Sequence, residues 1–225
     1  MTEKVIEHSG CRLRYFQKGE RPVWLIHTGT HGDELAVIGL VREYLSANEK
    51  KLPDFIWVPE VSPSAVRSGT RNNEHGLNLN RVFFEHPGEP EARANLELIK
   101  AHVFRSFITI HEDLTTDKFY MYEHDDNSGV PALRKLFSEV AALGVGFYEG
   151  LDDDDPALCN LIRQGYFSCR WQERPPTGPD GTFEGYMGFH RAAGGKIITA
   201  EVPGLLPDDI RRAIVSLLFR YLLAD

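Results

Sequence analysis

Cysteine is scarce in this 225-residue chain: Cys11, Cys159 and Cys169, with no Cys-x-x-Cys pair among them. An odd, low count is a poor disulfide framework, and the spacing speaks against a thiolate zinc site. No apolar run approaches the ~20 residues needed to span a bilayer. The first ten residues, MTEKVIEHSG, lack the apolar core of a signal peptide. Positive charge is also short, with 25 Lys and Arg against 33 Asp and Glu and a formal net charge of −8. That balance argues against a general phosphate-backbone binder. There is no internal repeat and no linker long enough to separate two folded units. The expectation is a reduced, cytoplasmic protein with neither a nucleic acid nor a membrane as partner. No feature of the sequence fixes an oligomeric state.

What is present is ordinary for a globular protein: 42% hydrophobic and 26% charged residues. The length suits one large domain with a buried core. Residues 23–27 (VWLIH), 55–59 (FIWVP), 107–111 (FITIH), 118–122 (KFYMY) and 196–201 (KIITAE) read as strands, being short, apolar and rich in β-branched or aromatic residues. Helical patterns follow in ELAVIGLVREYL, in residues 89–105, in residues 131–143 and in residues 207–223. Asp33 suits the first turn of the first of these; Pro207, Asp208 and Asp209 suit the start of the last. Residues 62–76 read as a long surface loop, 151–156 (LDDDDP) as an acidic loop and 174–185 as turn-rich. Strands alternating with helices predict an α/β fold: a single domain over residues 1–225, with a mixed, mostly parallel sheet and helices on both faces.

Three potential metal ligands fall at or just past predicted strand ends. His31 and Glu34 follow the first strand, and His111 ends the third. In open α/β sheets, sites form outside the carboxyl ends of the strands, where segments distant in sequence meet. Two imidazoles and a carboxylate suit a catalytic zinc (Zn2+), which keeps a fourth position for water and lowers that water's pKa to ~7. Glu201 ends another strand, where a carboxylate can serve as general base and then general acid. The polar segment RNNEHGLNLNR carries Arg71 and Arg81, whose guanidinium groups suit an oxyanion and a substrate carboxylate. Each signal alone is weak; their joint, ordered occurrence carries the reading.

As a set, His31-Gly32-Asp33-Glu34, Arg71, Gly76-Leu77-Asn78-Leu79-Asn80-Arg81, His111 and Glu201 resemble the ordered motifs of zinc carboxypeptidases. The resemblance runs from about Leu25 to Gly204. It implies His31, Glu34 and His111 as zinc ligands, Glu201 as general base and Arg71 as oxyanion stabiliser. It also implies Asn80 and Arg81 as the grip on a substrate's terminal carboxylate. The family's usual aspartate, which supports a zinc-bound histidine, is replaced by Asn78; its amide oxygen can accept a hydrogen bond but brings no charge. Tyr186, in EGYMGFH, is the candidate for the tyrosine that closes over substrate in that family.

The length is similar to that of compact bacterial members that trim cell-wall peptides. The related succinylglutamate desuccinylase and aspartoacylase enzymes share the zinc motif but carry a further β-rich domain after it. Here 24 residues follow Glu201 and read as one helix, which favours the peptidase branch. The expected function is hydrolysis of an amide or peptide bond next to a free carboxylate, on a small peptide or an N-acyl amino acid. The rivals are an N-acyl amino acid deacylase and a binding protein that has kept the fold without catalysis. His27 reads as structural, Glu112 and Asp113 as a solvated loop, and Asp152–Asp155 as a solvated acidic turn.

Overall fold

A computed structural model describes residues 1–152, 160–169, 178–190 and 195–223. An eight-stranded sheet runs through it. Its strands are β1 (Thr2–His8), β2 (Cys11–Lys18), β3 (Trp24–His27), β4 (Phe55–Val58), β5 (Ser106–Asp113), β6 (Tyr120–Glu123), β9 (Tyr166–Ser168) and β10 (Ile197–Pro203), and β7 (Gly150–Leu151) with β8 (Leu161–Ile162) forms a small separate pair. The spatial order is β1-β2-β4-β3-β5-β10-β6-β9. The central strands β4, β3, β5 and β10 are parallel, whereas β1, β2 and β6 pair antiparallel with a neighbour. This is the mixed, mostly parallel α/β sheet expected from the sequence.

Alternation along the strands sorts side chains onto two faces. Trp24 and Ile26 on β3, Ile108 and Ile110 on β5, and Ile198, Ala200 and Val202 on β10 pack in one apolar cluster. Helices α1 (Leu35–Asn48), α4 (Pro131–Ala142) and α6 (Asp208–Leu222) cover that face. Leu25, Phe107 and Ile197 pack in a second cluster with α3 (Pro90–Lys100) and α5 (Phe183–His190). Fully burying one such large apolar side chain stabilises the fold by ~1.5–3 kcal/mol.

Four sequence expectations need correction. First, residues 62–76 are not simply a loop, because helix α2 (Pro63–Ser68) lies within them. Pro63 starts it, the buried carboxylate of Glu91 accepts from Ser64 N at 2.8 Å, and Gly69 ends it with φ +63°. Second, the turn-rich stretch gives way to α5 at Phe183, so EGYMGFH is helical; its part at residues 174–177 lies outside the described residues, as does the acidic turn beyond Asp152. Third, Asp33 precedes α1 instead of lying in its first turn. Fourth, Glu112 is buried, with 4% of its surface exposed, rather than solvated. Glu112 caps α1 by accepting from Ala36 N at 3.2 Å, and it pairs with Arg211.

Candidate metal centre and active-site cleft

Strands β3, β5 and β10 deliver the chemistry at their carboxyl ends. After β3 the chain turns through Gly29, whose φ of +63° disfavours any side chain. It then passes so close to α2 that a Cβ on Gly32 would lie 1.9 Å from the Ala65 carbonyl oxygen. Gly32 N donates to Thr70 O at 2.9 Å, which ties this turn to the segment bearing Arg71. Glycine between His31 and Asp33 is therefore a packing requirement. Further along that segment, Asn73 Oδ1 accepts from the backbone of His75 and Leu77 and braces it internally.

These constraints bring His31, Glu34 and His111 together, all buried, with one donor atom from each within 4.8 Å of the others. His31 Nδ1 lies 2.5 Å from Glu34 Oε1, and His111 Nδ1 lies 2.8 Å from Glu34 Oε2. Asn78 Oδ1 accepts from Asn80 N at 2.9 Å, which fixes the orientation of the amide. The same oxygen lies 3.1 Å from His31 Nε2, so Nε2 carries the proton toward Asn78. That leaves Nδ1 of His31 as the nitrogen facing the cluster. Arg71 Nη1 approaches to 3.7 Å from Glu34 Oε1, while its side chain remains over half exposed.

Charge in the cluster is out of balance. Burial alone would lower the pKa of His111, but Glu34, Glu201 and Glu184 overcome it and drive that pKa up. Burial pushes Glu201 up, with Glu34 and Asp113 adding to the rise against His111 and Arg71. Burial would also raise Glu34, yet the two histidines hold it far down. His31 is lowered, chiefly by burial. Several carboxylates thus compete for the protons of two imidazoles in a desolvated space. A divalent cation fits this donor set, in which two ring nitrogens and one carboxylate converge in a buried space.

Glu201 sits in β10 opposite His111 on β5 and Tyr120 on β6. Period-two alternation places Tyr122, Thr199 and Glu201 along the same side, and all three line a cleft of about 690 Å³. Arg71, Asn80 and Arg81 line it as well. The structure therefore brings seven sequence candidates to one cleft. Tyr186 is not among its lining residues. It is buried on α5 within the second apolar cluster, with its ring 4.3 Å from that of His190. The tyrosines at the cleft are Tyr120 and Tyr122, whose hydroxyls donate to Asp113 and Asp152 at 2.7 Å. The alternation of aromatic residues in KFYMY was the available sequence signal.

Asn80 has a structural commitment that its motif does not announce. Its Oδ1 accepts from Phe183 N at 2.8 Å, and its Nδ2 donates to Glu184 Oε2 at 3.1 Å. The amide thereby anchors the start of α5 and leaves one N–H for a substrate. Glu184, which sequence reasoning missed, is buried and lines the cleft. His27 is structural as expected, since its ring packs against Phe107 and Phe183 and burial keeps it neutral.

Residues 20–121 match the family model of the succinylglutamate desuccinylase/aspartoacylase catalytic domain. A search of curated protein sequences gave no match. Among solved structures, a candidate metallopeptidase of Shewanella amazonensis SB2B is similar at 24% identity and a TM-score of 0.72, over 99% of this chain and 87% of that one. A metallo-carboxypeptidase from Burkholderia cenocepacia aligns at 16% identity and a TM-score of 0.65, over 98% and 64%. The murein-tripeptide amidase of Escherichia coli O157 aligns at 19% identity and a TM-score of 0.59, over 96% and 90%. These likenesses establish a metallocarboxypeptidase-like fold. No helix among the described residues is long and apolar enough to cross a membrane.

Proposed function

We propose that this chain is a zinc-dependent hydrolase that cleaves an amide bond next to a free carboxylate, as metallocarboxypeptidases do. The observation that carries the reading is the convergence of His31, Glu34 and His111 within 4.8 Å, with Glu201 in register beside His111. Zinc held by those three residues would polarise the scissile carbonyl and lower the pKa of an attacking water. Glu201, in register beside His111 and lining the cleft, is assigned to accept that water's proton and pass it to the leaving amine. Arg71, already beside Glu34, is assigned to the developing oxyanion. Arg81, whose Nη1 donates to Asn80 O at 2.7 Å, is assigned to the substrate carboxylate, with the remaining N–H of Asn80 assisting.

The substrate is a small peptide or an N-acyl amino acid. The match of residues 20–121 to the desuccinylase/aspartoacylase model keeps the deacylase reading beside the peptidase one. The two share the free carboxylate next to the cleaved amide. A cytoplasmic location is part of the proposal, supported by the scarcity of cysteine. A panel of dipeptides, murein peptides and N-acyl amino acids, each as free acid and as amide, tests it. Zinc-dependent turnover of the free acids and little turnover of their amides supports the proposal. Equal turnover of both forms would refute the carboxylate anchor.

A further inference from the structure

The two histidines of the triad are backed differently. Each turns Nδ1 toward Glu34, so the metal reading needs each Nε2 to be held by something else. For His31 that partner is the neutral amide of Asn78, at 3.1 Å. For His111 the group facing Nε2 is the carboxylate of Glu184, with Oε1 at 4.0 Å. Glu184 is itself held in place. Its side chain is only 10% exposed, and its other oxygen accepts from Asn80 Nδ2 at 3.1 Å. Asn80 is fixed in turn by Phe183 N at the start of the helix that carries Glu184. One short turn, Asn78-Leu79-Asn80, thus controls both histidines: Asn78 directly, and Asn80 through Glu184.

We propose that Glu184 is a positioning residue for His111, supplying to that ligand the negative charge that Asn78 cannot supply to His31. At 4.0 Å the carboxylate lies beyond a direct hydrogen bond and acts as a buried charge. It favours the proton on Nε2, leaves Nδ1 bare toward Glu34, and makes that nitrogen a stronger donor. The sequence lacks a carboxylate behind His31; the fold places one behind His111, on a helix more than 70 residues further along the chain. This proposal rests on the metal reading above.

The test is zinc affinity, measured by competition with a chromophoric chelator, for the wild type, Glu184→Gln, Asn78→Asp and the double variant Glu184→Gln/Asn78→Asp. Glutamine keeps the shape of the side chain and can still accept from Asn80, so thermal melts of the metal-free proteins should coincide. Loss of a group that orients and charges a ligand typically costs 10–100-fold in metal affinity, and Glu184→Gln should fall by about that much. Asn78→Asp should restore affinity in the Glu184→Gln background by returning a charge to the other histidine. A packing defect at α5 would show instead as a lowered melting temperature of metal-free Glu184→Gln. Zinc affinity of Glu184→Gln within about twofold of wild type, on the scale of that same 10–100-fold cost, would overturn the proposal. So would a double variant no better than the single one. If the wild type itself takes up no zinc, the metal reading falls first and this proposal with it.

Discussion

On β5, Ile108 and Ile110 enter one apolar cluster, while Thr109 and His111 alternate with them on the other face. β10 repeats the arrangement, with Ile198, Ala200 and Val202 in the core and Thr199 and Glu201 at the cleft. The same strands therefore build a core against α1, α4 and α6 and a reactive floor beside α5. The two faces differ by a single step along each strand, so a one-residue slip in pairing would exchange them. The core face tolerates this neighbour because its helices are anchored by apolar contacts. The reactive face has its own apolar cluster against α3 and α5, and its cleft is ordered in addition by hydrogen bonds from short, distant segments, such as Asn78 and Asn80.

Substitutions should separate the faces by what they damage. The largest effect belongs to the reactive face: Glu201→Gln should leave folding and zinc uptake intact and cut turnover by ~10²–10⁴-fold, because an amide cannot accept the water's proton. Steady-state kinetics beside metal analysis checks it, and near wild-type turnover would remove Glu201 from the role of base. On the core face, Ile110→Ala should do the reverse. It should destabilise the chain by ~2–5 kcal/mol in denaturant unfolding while the folded fraction keeps its activity per zinc.

Much of this division was legible in the sequence. β3, β4, β5 and β10 are apolar runs, as buried parallel strands are, and His31, His111 and Glu201 fall near or just past the carboxyl ends of β3, β5 and β10. The first hairpin was not legible. β1 is an edge strand, exposed along most of its length, so TEKVIEH has no need of an apolar alternation. Helix α5 was hidden for another reason: its start fell in a turn-rich stretch, and its first turn is held both by Thr182, whose Oγ1 accepts from Gly185 N at 2.8 Å, and by Asn80, 103 residues away. Glu184 could not be assigned before that contact was known. Tyr186 lies on α5 with its ring in the second apolar cluster, away from the cleft lining.

The arginines sharpen the comparison within the cleft. Arg71→Ala should lower kcat by ~10²–10³-fold on both free-acid and amidated substrates, since its assigned partner is a charge that forms only during attack. Arg81→Ala should raise KM more than it lowers kcat, and should erase the preference for the free acid. If Arg71→Ala instead changed only KM, the two roles would have to be exchanged.

The smallest effect tests an exception on the core face. Glu123, opposite Ile198, is a buried carboxylate that accepts from Tyr166 Oη at 2.8 Å. Burial raises its pKa from 4.5 to about 7. The folded chain therefore keeps a proton that the unfolded chain releases between those two values. The stabilisation is complete below pH 4.5 and is lost as pH rises through about 7. Each pH unit in that window is worth at most ~1.4 kcal/mol. Glu123→Gln should remove this dependence, so its stability relative to wild type should climb across the window and level off above it. Parallel stability–pH curves for the two proteins would show that Glu123 keeps its ordinary pKa.

The metal centre itself is most directly tested by elemental analysis of the purified protein and of the double variant His31→Ala/His111→Ala. The three converging donors predict about one zinc per chain in the wild type, as for a single three-ligand catalytic site, and almost none in the variant. Stoichiometric zinc retained by the double variant would place the metal elsewhere and contradict the assignment.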